Sequence, residues 1–244
     1  MKLSTRDENY FRVFAQLAHE KQARLEDYYI MIQRSDRDEQ GGVTTLRTAE
    51  LHGLSFARDH IHRDETCLIV GCGCGVEASW LITNNITGIT GLDISESVLA
   101  TCKKLTGIRT VCGDMRKTGL PDQSYDVVLT HRSLHHLFYP FQALEECSRI
   151  AKKKVLILNE PVRSILKVAV RRITKASIIS GANIYEYQFD PEDVHRYMAF
   201  NGFRLAETIR YWETTQSTGS NWLLNCFSRG IGNRFSAVYE RFGP

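Results

Sequence analysis

Three glycines, Gly71, Gly73 and Gly75, punctuate the run CLIVGCGCGVEASWL. Glycine lets a backbone turn tightly where any side chain would block a ligand. Set between an apolar strand and a helix, such a run offers its amides and the helix N-terminus to a ligand above the strand ends. Asp93 follows about twenty residues later, the interval at which a strand-end carboxylate accepts two hydrogen bonds from a ribose diol. Asp93 is also a natural N-cap for the helix SESVLA, and both roles are compatible. A dinucleotide fingerprint wants Gly or Ala at the sixth position counted from Gly71, where this chain has Val76. That points away from NAD and toward another adenosine ligand.

Further along, His131, His135 and His136 cluster in THRSLHHL, and Glu160 closes the run VLILNEP. Imidazole titrates near working pH, so these histidines are candidates for moving a proton, His135 foremost, although a histidine is as often a structural residue. Glu160 is a second candidate, for hydrogen bonding to a substrate or for capping a helix ahead of Pro161. Cys72 and Cys74 alternate with glycines and fall short of a four-ligand metal pattern, so no metal is expected. Cys67, Cys102, Cys112 and Cys147 read as small buried hydrophobes.

Strand ends and loops must bring these groups together. Cys67–Val70 is a short apolar run followed by helical VEASWLITN, and Ile86–Leu92 reaches Asp93 before helical SESVLATCKKL. Ile108–Cys112 ends at Gly113-Asp114, Tyr125–Thr130 ends at His131, and helical Phe141–Ile150 precedes the run Val155–Leu158. Short apolar strands alternating with helices predict βαβ units and a parallel sheet covered on both faces. Asp190-Pro191 opens a helix that stops at Asn201-Gly202, and Phe203–Trp212 and Phe235–Phe242 predict two final strands. Upstream, Tyr10, Phe11, Phe14, Leu17 and Ala18 recur at helical spacing, and a second helix is expected over Thr45–His60. The expected division is a helical extension or lid over 1–62 and an α/β domain over 63–244, with a helical segment inserted at about 162–189.

Taken with VCGDMRKTGLPDQSYDVVLTHRSLHHL, the block from Cys67 to Glu160 resembles the class I S-adenosylmethionine-dependent methyltransferases. It is most similar to the small-molecule branch that includes ubiquinone and menaquinone methyltransferases. The resemblance implies a Rossmann-like α/β fold, with a mostly parallel seven-stranded sheet and helices on both faces, and S-adenosylmethionine as cofactor. It implies that Gly71, Cys72 and Gly73 pass close to the cofactor's methionine moiety, and that Asp93 holds the ribose with Ile94 against the adenine. Asp114 would accept from the adenine amino group with Met115 packed on the ring, and His131 would lie near the methionine end. Carboxylates at two successive strand ends suit a ligand with one diol and one exocyclic amine. The chain departs from the family in two places: Ile69 stands where an acid is usual, and Ala151-Lys152-Lys153-Lys154 replaces a Pro-Gly-Gly turn.

Methyl transfer from a sulfonium needs alignment and exclusion of water more than a catalytic constellation, and a general base only where the acceptor must lose a proton. The expected acceptor is a small molecule. Tyr10, Phe14 and Tyr29 of the N-terminal extension and Tyr185 and Tyr187 of the insertion are candidates to line its pocket. A net charge of +3 is too small to call for nucleic acid. Arg163, Lys167, Arg171, Arg172 and Lys175 form a basic amphipathic stretch within 162–175, which would permit peripheral contact with an anionic membrane. MKLSTRDENY lacks a signal-peptide core, so a cytoplasmic location is expected. The competing readings are a catalytically silent partner subunit and a methyltransferase acting on RNA or protein.

Overall fold

A computed structural model describes residues 48–163, 187–211 and 233–243. Helix α1 (Thr48–Arg58) precedes β1 (Cys67–Val70), α2 (Val76–Thr83), β2 (Ile89–Asp93), α3 (Glu96–Thr106) and β3 (Arg109–Cys112). Then come β4 (Tyr125–His131), a 3-10 turn (Leu134–His136), α4 (Pro140–Ile150), β5 (Ala151–Pro161), α5 (Pro191–Phe200), β6 (Phe203–Tyr211) and β7 (Arg234–Arg241). The sheet has seven strands in the order β3-β2-β1-β4-β5-β7-β6. The pairings among β1 to β5 are parallel, whereas β7 runs antiparallel to both β5 and β6.

Alternation along the strands builds two cores. In β1, Cys67 and Ile69 face one side with Leu54 of α1, Leu81 of α2 and Leu99 of α3. Leu68 and Val70 face the other with Leu144 and Cys147 of α4 and Val194 and Met198 of α5. Successive side chains on a strand point to opposite faces, so a strand apolar at every position requires helices on both sides. Helix α5 begins as its sequence predicts: the Asp190 side chain accepts from the Glu192 amide at 3.1 Å, and Pro191 occupies the first turn.

Three expectations are corrected. The fifth strand is not confined to Val155–Leu158 but runs from Ala151 to Pro161, directly after α4. Its lysines are accommodated by distant acids: Lys154 Nζ lies 3.1 Å from buried Glu65, and Lys153 Nζ lies 3.0 Å from Asp126. The second strand begins at Ile89; Ile86 is a core residue of the preceding turn, which passes through Asn85 in a left-handed conformation. Cys112 is exposed, unlike buried Cys67, Cys102 and Cys147.

The strand order reverses between β1 and β4, each of which pairs with the other while its successor or predecessor lies outward. In such sheets a crevice opens above the carboxyl ends at this reversal. Gly71, Asp93, Gly113 and His131 all stand at these ends.

Candidate active site

The loop after β1 is shaped by what surrounds it. Gly71 has φ +72, and a Cβ there would lie 2.6 Å from Ser133 Cβ and 3.1 Å from Met115 Cε. Ser133 cannot retreat, because its hydroxyl bonds Thr130 Oγ1 at 2.7 Å and the Val70 carbonyl at 3.2 Å. Gly73, at φ +51, is the opposite case: nothing lies within 4 Å of where its Cβ would be. One glycine therefore serves close packing and the other borders an open cradle. Gly71→Ala should cost more than about 2 kcal/mol, from the left-handed backbone and the clash together. Urea unfolding would measure it, and Ser133→Gly in the same chain should restore part of the loss. Full stability of Gly71→Ala alone would show that the contact is not rigid.

The Cys72 side chain turns inward from this loop, its thiol donating to the Gly73 carbonyl at 3.6 Å. Its sulfur is buried against Gly91, where a Cβ would come within 2.7 Å of it. A hydrogen bond with Cys102, and then burial, push its thiol above the usual range.

Asp93 ties the loop to β2. One carboxylate oxygen accepts from the Gly73 amide at 3.1 Å and the other from the Ser95 amide at 3.0 Å. A carboxylate has about four lone-pair sites, so these two bonds leave one on each oxygen, which is what a diol requires. Ile94 is half-buried beside it. Asp114 has a partner that its spacing does not announce. Arg116 grips it through Nη2 at 2.7 Å and Nε at 3.1 Å, and the Arg116 amide adds a bond of 2.9 Å. The acid expected to meet an exocyclic amine therefore already carries a guanidinium. Met115 lies against Gly71, at the floor of the same crevice.

At the end of β4 and β5 the polar groups are densest. His131 is buried, and its Nδ1 lies 2.8 Å from Glu77 Oε1 in the first turn of α2. A carboxylate can only accept, so Nδ1 carries the proton in this bond. Among the described residues His131 Nε2 has no partner, and neither do Asn159 Nδ2 and Oδ1, all of them buried. A buried polar atom left unpaired costs on the order of 1–3 kcal/mol, so three in one neighbourhood call for an explanation. The backbone is strained here too: Arg132 and Asn159, the residues after a paired His131 and Leu158, have φ of 51 and 56. Helix α1 closes over them. A Cβ at Gly53 would lie 3.6 Å from His131 Cδ2, 3.6 Å from Asn159 Cβ and 3.5 Å from the Tyr211 hydroxyl.

Both carboxylate oxygens of Glu160 are bonded within the protein, and a helix after Pro161 falls outside the described residues. Glu160 is 0% exposed, and its carboxylate organises the 3-10 turn after β4. Oε1 accepts from the Ser133 and Leu134 amides, both at 3.0 Å, and Oε2 accepts from the His135 amide at 3.2 Å and His135 Nδ1 at 2.7 Å. Burial opposes its charge, but the His135 imidazole, the Leu134 amide and His136 outweigh it and hold the acid below the usual carboxylate range. His135 is thus a strut of the turn, with the His136 ring tilted against it at 4.0 Å between ring centroids. Tyr187 sits at this turn through its amide, 2.7 Å from the His135 carbonyl, with its ring edge-on to Phe189. Tyr10, Phe14, Tyr29 and Tyr185 lie outside the described residues, as does the basic stretch beyond Arg163. Among the described residues no group of three or more His, Cys, Asp or Glu could hold a metal ion. No described helix is long and apolar enough to cross a membrane.

Glu77, Ser133, Asn159 and Gly53 were not marked by the sequence as site residues. Glu77 carried the one available signal, an acid in the first turn directly after the glycine loop, a usual place for negative charge.

Known proteins now bear on this geometry. Residues 68–158 match the family model of a methyltransferase domain. No curated protein matches the chain. Among solved structures it is similar to a SAM-dependent methyltransferase from Thermotoga maritima, with a TM-score of 0.64 at 16% identity, covering 93% of this chain and 99% of that one. It is also similar to magnesium protoporphyrin IX methyltransferase from Synechocystis with bound SAH, at a TM-score of 0.58 and 16% identity over 80% of this chain and 83% of the other. A SAM-dependent methyltransferase from Archaeoglobus fulgidus gives a TM-score of 0.56 at 18% identity, over 88% and 100%. At these identities the likeness is one of fold, and the matched segment supplies the sequence evidence, running from β1 to the end of the part of β5 that pairs with β4. With the open cradle at Gly73 and the spare acceptor capacity of Asp93, residues 68–158 match a methyltransferase domain, that of an enzyme using S-adenosylmethionine.

Proposed function

We propose that this enzyme methylates a small-molecule acceptor bound at the carboxyl ends of β4 and β5, beneath α1. The observation that carries the reading is the arrangement of the crevice: an open backbone cradle and a diol-ready carboxylate on one side, a buried polar end of β4 on the other. When bound, S-adenosylmethionine supplies an electrophilic methyl on a sulfonium sulfur, which keeps the electron pair of the broken S–C bond and leaves as a neutral thioether. The protein's own part is to hold and to exclude. Gly71 and Gly73 present backbone, Asp93 holds the ribose hydroxyls, Ile94 and Met115 flank the adenine, and Asp114 orients it while paired with Arg116. Closure of the polar end of β4 by α1 keeps water from the reacting atoms. A recessed site of this kind suits a quinone, a natural product or the head of a lipid- or glycan-linked metabolite, in keeping with the quinone-methyltransferase resemblance.

Calorimetric titration with S-adenosylmethionine, S-adenosylhomocysteine and NAD tests this reading. Micromolar binding of both adenosyl ligands, with none for NAD, is the expected result. Absence of adenosyl binding would leave a silent partner subunit as the better account.

A further inference from the structure

We infer that Asn159 and His131 together form a polar subsite for the acceptor, one that selects a neutral hydroxyl nucleophile with a second hydrogen-bonding group beside it. The inference rests on the methyl-transfer reading above and names the acceptor chemistry of that site. Its basis is three buried atoms without partners among the described residues: His131 Nε2, and both Nδ2 and Oδ1 of Asn159. The two side chains are neighbours, since His131 Cδ2 and Asn159 Cβ lie within 3.6 Å of the same point above Gly53. Asparagine tolerates the left-handed backbone of this position, but glycine would do so at least as well and would bury no amide. The amide is therefore retained where no group among the described residues meets it.

The unpartnered atoms specify what would. Glu77 holds the proton on His131 Nδ1, so in the neutral imidazole Nε2 presents its lone pair. An acceptor hydroxyl donates to that lone pair. As it reacts, its O–H bond breaks, the proton passes to Nε2, and the oxygen keeps the electron pair with which it bonds the methyl carbon. The imidazolium so formed faces the Glu77 carboxylate, which balances its charge. Asn159 needs one partner that both accepts from Nδ2 and donates to Oδ1, which a neighbouring hydroxyl does. An anionic acceptor is disfavoured, because the nearest charged group bonded to this pair is Glu77.

Catechol is the probe, with phenol as its single-hydroxyl control, titrated into the full chain saturated with S-adenosylhomocysteine. Asn159→Gly keeps the left-handed backbone and removes the amide, and Asn159→Asp keeps size and replaces the amide with a carboxylate. Catechol should bind the wild-type complex and shift the Nε2 resonance of 15N-labelled His131. Asn159→Gly should weaken catechol at least about ten-fold while leaving phenol within about two-fold. A wild-type complex that holds S-adenosylhomocysteine but not catechol, or an Asn159→Gly variant that binds catechol undiminished, would overturn the subsite. Failure to hold S-adenosylhomocysteine at all would instead remove the methyl-transfer reading, and the subsite with it.

Discussion

Glu160→Ala is expected to lose at least about 3 kcal/mol of stability in denaturant unfolding, the largest effect of any single substitution considered. Alanine would strand three backbone amides and an imidazole nitrogen that now share one carboxylate, in a place no water reaches. Glu160→Gln should fall between: one oxygen still serves two amides, but the other becomes an NH2 set against donors. The pH dependence has a definite sign. Because the folded acid sits below the usual carboxylate range, its contribution is fully present above the unfolded value, about 4.3. It is lost as pH falls through the folded value. Wild type should therefore shed stability on acidification below roughly pH 4.3 in a step that Glu160→Gln lacks. Superimposable acid profiles would mean that Glu160 is not ionised in the native turn.

The second large effect falls on cofactor affinity. Asp93→Ala should weaken S-adenosylhomocysteine at least about 100-fold, since two hydrogen bonds to a charged acceptor are removed together. The same change releases the Gly73 and Ser95 amides, so the cradle loses its tether as well as its ribose acceptor. Asp93→Asn keeps one acceptor and should lose less, about ten-fold. Calorimetry gives both values, and a thermal melt of each variant without ligand separates loosened structure from lost contacts. Unchanged affinity in Asp93→Ala would place the ribose elsewhere.

The glycine loop and the acid at the end of β2 were legible because their parts are local. A glycine run between a strand and a helix, and an acid at the next strand end, are short-range patterns with one dominant geometric meaning. Asp114 shows the limit even there: its pairing with Arg116, only two residues away, does not follow from spacing. The acceptor half depends on contacts distant in sequence. Glu77 and His131 are 54 positions apart, and Lys154 and Glu65 are 89. The role of Glu160 in the turn was hidden for a further reason. The register of β5 against β7 slips between Ile157 and Glu160, with left-handed Asn159 inside the slip. A bulge breaks the two-residue alternation, so side-chain facing beyond it cannot be counted from the apolar run before it. The residue that alternation would have aimed elsewhere is the one that seals the turn.

The position of β7 has a consequence for the order of assembly. It follows β6 in the chain but lies between β6 and β5, pairing Val155 with Tyr239 and Phe203 with Arg241. Strands β1 to β5 can find their parallel neighbours among themselves, so the cofactor crevice can take shape first. Until β7 arrives, β6 has no place in the sheet and β5 is its open margin, apolar on both faces from Val155 to Leu158. An unfinished molecule thus presents a strand ready to recruit another chain, and slow docking of β7 would show itself as concentration-dependent aggregation during refolding.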